Sequence, residues 1–413
     1  MRAELLAIGS ELTRGHTVNT NAAYLASQLN ALGIECGRQT TLPDDQPAIV
    51  QGLREAVNRS RLIITTGGLG PTLDDVTVEA LARATGRRLV HVASVDRHIR
   101  RFYRAHRRRL DRLALRQADV PEGAIPLPNP LGTAPGLWLA LEGNRLIVSL
   151  PGVPRELRVI MERSVIPRLK RLADRRTILS RTIRTVGLVE LEVQAALRRL
   201  GVPLCVEVGL YPQLRAVDLR LTVSGIPPRR AWSLLNRLER QLRRRLGRAV
   251  YGVDDQTLEA AVGEAMVRRG KTLAVAESCT GGLVSDRITD VPGSSRYVLL
   301  SVVPYHNRMK QELLGVSSTC LKRSGAVSAP VARAMAQGVR RTAGADVGLA
   351  ITGIAGPTGG TSRKPVGLVY LALADAHRSA VKRCQFYGDR LSIKYQSCQM
   401  ALDWLRRWVL KDR

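Results

Sequence analysis

Short apolar runs alternate with helical patterns along most of the chain. In the first 170 residues, leucine-rich and β-branched runs end at polar or glycine-rich turns, and segments with apolar residues every three or four positions lie between them. This alternation predicts a parallel sheet covered by helices. The predicted strands are 5–8, 62–66 and 146–150, and the predicted helices are 21–32, 76–85 and 97–112.

Two further blocks follow in the pattern. A compact α+β unit is predicted from strands 181–186 and 216–223 and helices 188–200 and 229–246. Residues 250–255 are predicted as a linker, and a second α/β block follows from Thr257. Its predicted strands are 272–276, 297–303, 347–351 and 367–373, and its last helix is 393–410. The predicted domains are therefore 1–170, 171–250 and 251–413.

Composition narrows the class of protein. With 413 residues, of which 45% are hydrophobic, the chain is long enough for two or three domains with sizeable cores. No run reaches the roughly 20 apolar residues of a membrane span, and the first apolar stretch is too short for a signal peptide. Six scattered cysteines without a CxxC pair favour neither a disulfide framework nor a zinc site. A cytoplasmic protein without membrane partners is expected.

The formal charge of +29 raises the question of nucleic acid. Only eight of the 64 basic residues are lysine, and the arginines are spread along the chain, which favours compositional bias over a selected binding surface. Aromatic residues, at 4%, are sparse for a surface that stacks on bases. The eight arginines of 97–112 are interpreted as a solvated helix rather than a phosphate-binding arm. Nucleic acid is a possible but disfavoured partner.

The strongest local motif is IITTGGLGPTLDD at 63–75, an apolar strand followed by a glycine-rich turn and a predicted helix. Glycines let backbone N–H groups approach an anion closely, and a helix N-terminus adds positive potential. The two carboxylates either cap the helix or hold a divalent cation that bridges phosphate oxygens. The candidate cradle is Gly67, Gly68, Gly70 and Thr72, and the carboxylates are Asp74 and Asp75.

A second strand–turn–helix motif, KTLAVAESCTGG, occupies 271–282. Ser278 follows the strand beside backbone donors, as a nucleophile with a stabilised oxyanion requires. The same pattern suits a phosphate-binding turn equally well. Cys279 is a rival nucleophile, although a small residue next to a strand is more often a packing residue. The motif alone does not choose between these roles.

The first motif, together with the segments GSEL (9–12), NPLGTAPG (129–136) and LPGVP (150–154), resembles the CinA family. The first domain of that family resembles the molybdopterin-binding MoaB/MogA fold. The resemblance implies a nucleotide pocket that binds and hydrolyses ADP-ribose with a divalent metal of unknown identity.

The same resemblance assigns individual residues of this pocket. Ser10 stands where many members carry Asp, and Glu11 remains as a candidate metal ligand with the two aspartates. Asn129 and Thr133 are candidates to hydrogen-bond ribose or base. Asn129 followed by Pro130 is equally compatible with a purely structural turn.

The second motif, together with YHN (305–307), TGIAGP (352–357) and GDR (388–390), is similar to the CinA C-terminal domain. Stand-alone versions of this domain, the PncC family, are nicotinamide-nucleotide amidohydrolases. The resemblance implies conversion of nicotinamide mononucleotide to nicotinate mononucleotide and ammonia without a cofactor. By this resemblance Ser278 is the nucleophile, Tyr305 lies close by and Lys310 is a candidate base. The implied substrate contacts are Thr280, Gly281, Gly282, Thr352, Gly353, Gly356 and Arg390.

A serine–lysine mechanism requires a neutral lysine. The pKa of Lys310 must therefore fall, through burial or through neighbouring cations such as the surplus arginines. The alternative is an ordinary exposed lysine on a helix. A lone His306 after the tyrosine is more typical of a surface or packing residue than of a base. Departures from the family pattern make reduced activity or an altered substrate an alternative; they are Leu300, Ser301, His306, Ala329 and Lys394.

The middle segment matches a small KH-like unit in layout, but it lacks a Gly-x-x-Gly loop for gripping nucleotides. A connector or dimerisation role is favoured, and a homodimer is expected. The predicted fold is thus a MoaB/MogA-like three-layer α/β domain, a KH-like α+β connector and a second three-layer α/β domain. The leading hypothesis is a pyridine-nucleotide salvage hydrolase. The alternatives are a non-catalytic competence or DNA-damage adaptor, or a molybdopterin-related protein.

Overall fold

The computed structural model describes residues 2–172 and 178–410. The chain divides into two compact units, Met1–Leu179 with Ser224–Ala231, and Ser180–Val223 with Trp232–Arg413. Its architecture confirms the predicted fold class of an α/β block, a small α+β unit and a second α/β block. Among the helices of the described residues, none combines the length and apolar character needed to cross a membrane.

The first α/β block follows the predicted alternation. Its strands are β1 (Arg2–Ile8), β2 (Glu35–Leu42), β3 (Leu62–Thr66), β4 (Leu89–His91), β5 (Asp119–Pro121), β6 (Ile125–Leu127), β7 (Gly136–Leu141) and β8 (Arg145–Leu150). Its helices are α1 (Ser10–Thr13), α2 (Thr20–Ala31), α3 (Gln46–Arg59), α4 (Thr77–Thr85), α5 (Ala93–Ala105), α6 (Pro154–Ile160) and α7 (Ile166–Leu172). The main sheet has the order β2-β1-β3-β8-β7-β6, and β4 pairs with β5.

Two apolar cores cover the two faces of this sheet. Leu25 and Leu157 contribute to the core under α2 and α6, whereas Ile49 and Leu81 contribute to the core under α3 and α4. All five residues of β3 are buried, as expected for a central strand with helices on both sides. The block therefore has three layers.

The prediction of a parallel sheet is only partly correct. Strands β2, β1, β3 and β8 are parallel, but β7 is antiparallel to β8 and β6 is antiparallel to β7. A tight turn containing Gly143 (φ 71°) and Asn144 (φ 58°) joins β7 to β8. Because left-handed Gly and Asn are typical of hairpin turns, this pair was the missed sequence signal.

The prediction of a helix over 97–112 is also only partly correct. Helix α5 ends at Ala105, and Arg107 adopts a left-handed conformation with φ 52°. Only Val95 and Ile99 of the helix are buried, so the arginine run beyond it has no apolar face to pack. A separate 3₁₀ helix, Arg112–Ala118, follows.

The α+β unit contains β9 (Leu179–Thr185), α8 (Glu190–Arg198), β10 (Val206–Gln213), β11 (Ala216–Val223), α9 (Pro228–Leu246) and β12 (Val250–Val253). Its sheet has the order β10-β11-β9-β12. The prediction of a linker over 250–255 is wrong, since β12 pairs antiparallel with β9. Val250 and Gly252 alternate with less buried neighbours, as on a strand with one face covered.

The last block contains α10 (Leu258–Arg268), β13 (Leu273–Glu277), α11 (Leu283–Thr289), β14 (Val298–Val302), α12 (Asn307–Leu314), α13 (Ser318–Ser324), α14 (Ala329–Ala343), β15 (Val347–Gly353), β16 (Leu368–Ala374), β17 (Ser379–Gln385) and α15 (Arg390–Leu410). Its sheet has the order β14-β13-β15-β16-β17. Strands β14, β13 and β15 are parallel, so their carboxyl ends lie at one edge. Ligands of open α/β sheets bind at that edge.

Candidate active sites

The glycine turn after β3 requires glycine for steric reasons. Gly67 has φ 107° and Gly68 has φ 65°. A Cβ on Gly67 would lie 2.0 Å from the Ile8 carbonyl oxygen, and one on Gly68 would lie 2.1 Å from the Thr77 hydroxyl. The turn is thus pressed against β1 and the start of α4, with no room for a side chain.

We expect Gly67→Ala to destabilise the first unit by about 3 kcal/mol, because it adds a backbone clash to an unfavourable φ. Gly15→Ala is the matched control. Gly15, like Gly67, has a positive φ (74°), but a Cβ added to it would have no atom within 4 Å. The control is expected to cost only about 1 kcal/mol. Denaturant unfolding of both variants measures the difference, and equal losses would contradict the close approach.

Thr77, the first residue of α4, holds this turn in place through two hydrogen bonds. Its hydroxyl donates to the Gly67 carbonyl at 2.9 Å, and its backbone N–H donates to the Gly68 carbonyl at 3.1 Å. No described residue accepts a hydrogen bond from the N–H groups of Gly68 or Gly70. These two unused donors are available to an anion, whereas the N–H groups of Gly67 and Thr72, also predicted for the cradle, donate at 3.0 Å to the Leu150 carbonyl and to Asp75.

The two aspartates do not cap the following helix, so that alternative is wrong. Helix α4 begins at Thr77 with Val76 as its N-cap. Instead, the hydroxyl of Thr72 donates to the carboxylates of Asp74 and Asp75, and its backbone N–H donates to Asp75 at 3.0 Å. The hydrogen bond from Thr72 lowers the pKa of Asp74, which keeps this exposed carboxylate charged.

A cavity of about 600 Å³ opens beside the glycine turn. Sequence reasoning missed two of its carboxylates, Asp44 and Glu156, and its one arginine, Arg108. Asp44 is held by Ser10, whose backbone N–H donates to it at 2.7 Å and whose hydroxyl accepts its backbone N–H at 3.1 Å. The acidic residues lining the cavity are Glu11, Asp44, Asp74, Asp75 and Glu156.

The carboxylates decide what kind of cation could fit. Within residues 2–172 and 178–410, no group of three or more His, Cys, Asp or Glu side chains lies close enough to enclose a metal. A hard cation that takes one or two carboxylates and completes its shell with phosphate or water oxygens fits this donor set. An anionic ligand in so acidic a cavity needs such a cation to offset the repulsion.

Asn129 builds its loop. Its side-chain amide donates to the Ala134 carbonyl at 2.8 Å and to Glu156 at 2.6 Å, and its oxygen accepts the N–H groups of Leu131 and Gly132. The side chain is buried and its hydrogen-bonding capacity is used internally, which favours the structural alternative for this residue. Thr133 lines the cavity as predicted.

In the last block, Ser278 directly follows β13 at the carboxyl edge of the sheet. Its backbone N–H donates to the Ile351 carbonyl at 3.0 Å, which ties it to the neighbouring β15. The chain then turns through Gly281 (φ 64°) and Gly282 (φ 96°) into α11. The serine is 9% exposed, so most of it is shielded from solvent.

Lys310 is buried against this serine. Its ammonium nitrogen lies 3.4 Å from Ser278 Oγ, 2.8 Å from the Pro304 carbonyl oxygen and 3.0 Å from the Tyr305 carbonyl oxygen. Only 1% of the residue is exposed, so the alternative of an exposed lysine is wrong. Burial lowers the pKa of Lys310. The expected help from surplus arginines is not needed, because desolvation is the cause of the shift.

The same three neighbours suit both protonation states of the lysine. An ammonium donates to the two carbonyl oxygens and to Ser278 Oγ, whereas a neutral amine donates to the two carbonyls and its lone pair can accept the Ser278 hydroxyl proton. A distance of 3.4 Å is long for a strong hydrogen bond, but catalytic hydrogen bonds often shorten when substrate binds. Ser278 and Lys310 thus have the contact that a nucleophile and its base require.

Glu277 is a buried residue that sequence reasoning missed. Its carboxylate accepts the backbone N–H groups of Gly282, Val284 and Ser285 and the hydroxyl of Ser285, at 2.6 to 3.1 Å. It therefore occupies the N-terminus of α11 and fixes the turn that carries Ser278. The N–H of Gly282 is not available to substrate, contrary to the predicted contact.

We expect Glu277→Gln to destabilise the second unit by about 2–3 kcal/mol, because an amide presents N–H groups to donors that need acceptors. Glu264→Gln is the control, since Glu264 is exposed and accepts one hydrogen bond from Gln256. Thermal unfolding compares the two variants. A loss no larger than that of the control would argue against Glu277 as the anchor of α11.

Other predicted contacts divide into two groups. Arg390 donates to the Gly356 carbonyl at 2.8 Å and to the Tyr305 hydroxyl at 3.2 Å, so these three predicted residues meet beside the pair. The hydroxyl of buried Thr352 instead donates to the Ala326 carbonyl at 3.0 Å. A Cβ on Gly353 would lie 2.6 Å from the Val369 side chain, so glycine is needed here because β15 and β16 approach closely.

Three residues near the turn take definite roles. Burial raises the pKa of Cys279 to about 12, which favours the alternative of a packed, protonated thiol for this residue. His306 accepts the backbone N–H of Arg308 at its Nδ1 and caps α12. The Lys394 amine lies 3.5 Å from where a Cβ on Gly281 would be, which places a cation beside the turn. The hydroxyl of Thr280 is buried and has no partner among the described residues.

The two sites define a class: an α/β protein with a glycine turn above an acidic cavity in one block and a buried serine–lysine pair in the other. Three family models match successive parts of the chain. They are "Probable molybdopterin binding domain" at residues 4–171, "Damage-inducible protein CinA KH domain" at 180–252 and "CinA C-terminal domain" at 255–409.

Relatives match over the whole length. A CinA-like protein of Gemmatimonas aurantiaca is 43% identical over 420 residues, covering 100% of this chain and 97% of that protein. One of Syntrophus aciditrophicus is 43% identical over 413 residues, covering 99% and 98%. A solved structure of competence damage-inducible protein A from Klebsiella pneumoniae is 31% identical and covers 38% of this chain and 97% of its own, with a TM-score of 0.37. The chain belongs to the CinA family, which confirms the resemblance seen in its motifs.

Proposed function

We propose that the last block is an amidohydrolase that converts nicotinamide mononucleotide to nicotinate mononucleotide and ammonia. The observation that carries this proposal is the contact between Lys310 and Ser278, with the lysine buried and its two N–H bonds accounted for by carbonyls. A neutral lysine beside a fixed serine hydroxyl has the chemistry of acyl transfer.

In the first step Lys310 takes the proton of Ser278, and Oγ attacks the carboxamide carbon. The C–N bond breaks, the proton passes from Lys310 to the departing nitrogen, and ammonia leaves. Water then attacks the acyl ester with Lys310 again as base, and Ser278 recovers its proton. No described residue accepts the N–H groups of Cys279 and Thr280, so both are candidate oxyanion donors.

The cations around the pair suit a phosphate-bearing substrate. Arg390 is exposed and is oriented by Gly356 and Tyr305, and Lys394 lies beside the glycine turn. An arginine held in this way presents N–H donors to an anion. The phosphate of the nucleotide would therefore be held apart from the carboxamide, which lies at Ser278.

Ammonia release by the full chain tests this proposal. Nicotinamide mononucleotide should be deamidated, whereas free nicotinamide, which lacks the phosphate, should react about 100-fold more slowly or worse. Equal rates on both would contradict the role given to Arg390 and Lys394. Absence of ammonia release from folded protein would contradict the amidohydrolase itself.

For the first block we propose hydrolysis of the ADP-ribose pyrophosphate bond. The support is the combination of unused N–H donors at the glycine turn with the acidic cavity beside it. One or two of the carboxylates of Glu11, Asp74 and Asp75 would hold a divalent cation, which would neutralise the phosphates and act as a Lewis acid. Gly68 and Gly70 would bind a phosphate oxygen through their N–H groups.

Removing the cation with a chelator should abolish AMP formation from ADP-ribose, and the double variant Asp74→Asn/Asp75→Asn should lower it by about 100-fold or more. Asp290→Asn, at an exposed aspartate of the other unit, is the control. Ammonia release from nicotinamide mononucleotide serves as an internal reference that neither treatment should change. Full AMP formation in the double variant would refute the assigned ligands.

A further inference from the structure

Three unpaired arginines follow one face of α9, and a fourth lies in the 3₁₀ turn after it. Arg237, Arg240 and Arg244 are spaced by three and four residues, which places them one above another along α9, and Arg248 follows just beyond the left-handed Gly247. All four are exposed. None of these four side chains has a hydrogen bond or ion pair with a residue that the structure describes. We call them the arginine row.

The rest of α9 is fully engaged. Leu235, Leu238 and Leu242 are buried in the core of the α+β unit. Glu239 is held by Arg181 and Arg243, so it does not neutralise the row. Like charges one helical turn apart destabilise a helix by about 0.2–0.5 kcal/mol per pair. The row therefore carries an uncompensated repulsion, which an anionic partner would relieve.

We propose that the arginine row binds the phosphate backbone of a nucleic-acid duplex, an activity beyond the proposed hydrolysis. From Arg237 to Arg244 the row spans about 10 Å of α9, and Arg248 lies beyond the end of that helix. A duplex carries one negative charge per about 1.7 Å of its axis, so that length faces a dense array of phosphates. A single arginine guanidinium can bind two oxygens of one phosphate through two parallel N–H bonds.

Other anionic partners fit the row less well. A helix that lies in a membrane surface needs an exposed apolar face, and the apolar face of α9 is buried. A single strand is gripped mainly by stacking on aromatic rings. Trp232 on α9 is 39% exposed, but the guanidinium carbon of Arg181 already lies 5.3 Å from its ring centroid, as in a cation–π contact. The row therefore favours duplex backbone without base recognition.

The test measures binding of a fluorescein-labelled DNA duplex of about 24 base pairs by anisotropy, from about 50 to 200 mM salt. In the variant with all four arginines of the row replaced by glutamine, affinity at low salt should fall by about 100-fold or more. The slope of log K against log salt should decrease by about 0.9 for each phosphate that the variant no longer neutralises, and so by about 3 to 4. Replacing all four by lysine should keep most of the slope, since the charge is retained.

A control removes the same charge elsewhere. Arg97, Arg101, Arg104 and Arg109 are exposed arginines of the first unit. Their glutamine variant should leave the slope unchanged and the affinity within about twofold, because the proposal gives these arginines no contact with the duplex phosphates. Equal losses in both glutamine variants, no duplex binding by the wild type, or tighter binding to anionic vesicles than to the duplex would each overturn the proposal.

Discussion

Ser278→Ala is expected to reduce ammonia release from nicotinamide mononucleotide by about 10⁴-fold or more, because it removes the only atom proposed to attack the carboxamide. The serine is nearly buried and its Oγ has one described side-chain partner, Lys310. Alanine fills the same backbone position without steric change. Folding should therefore persist while the rate constant falls.

Two neighbouring variants make this result specific. Cys279→Ala removes the rival thiol at the adjacent position, and ammonia release should stay within about tenfold because the thiol is buried and protonated. Ser301→Ala alters an exposed serine of β14 and should change nothing. If Cys279→Ala abolishes the reaction while Ser278→Ala does not, the assignment of the nucleophile is wrong.

Lys310→Met is expected to lower the same rate by about 10²–10⁴-fold, the usual contribution of a general base. Methionine preserves much of the apolar stem and removes the amine. Because burial lowers the pKa of Lys310, the wild-type rate should rise with pH and reach its plateau below the range in which an exposed lysine titrates. The variant should lack this rise. Rate–pH profiles of both proteins measure it.

Stability gives an independent measure of the same titration. The folded-state pKa of Lys310 is lowered, so between the folded and unfolded pKa values the unfolded chain binds more protons. Stability should therefore rise with pH across that window, and Lys310→Met should remove this increment. Lys322→Met, at an exposed lysine of α13, is the control. An unchanged pH dependence in Lys310→Met would show that Lys310 is not the shifted group.

The local motifs predicted the two glycine turns correctly, because the positive φ angles of these turns restrict the residue type to glycine. Gly67 and Gly68, like Gly281 and Gly282, adopt positive φ between a strand and a helix, which the residue type and its neighbours already indicate. Strand β3 was predicted with its observed bounds because all its positions are apolar or β-branched and buried. Short-range chemistry was sufficient for these elements.

Elements that depend on distant partners were not predicted. Strand β12 looked like a linker because its pairing with β9 joins residues far apart in the chain. Asp44 reaches the first cavity only through its hydrogen bonds with Ser10, 34 residues away. Nothing in the sequence around Glu277 indicates that its carboxylate accepts the N–H groups at the start of α11. Each of these roles arises from contacts that form only on folding.

Charge shows the same division. The sequence by itself determined a surplus of cations, two glycine turns after strands and the serine and lysine of one motif, because these follow from residue type and local spacing. Only the tertiary structure decided that Lys310 is buried 3.4 Å from Ser278 and that four arginines of α9 and its continuation remain unpaired. The physical reason is that burial and pairing set the pKa of an ionisable group and the availability of its charge, and both depend on neighbours brought together by the fold.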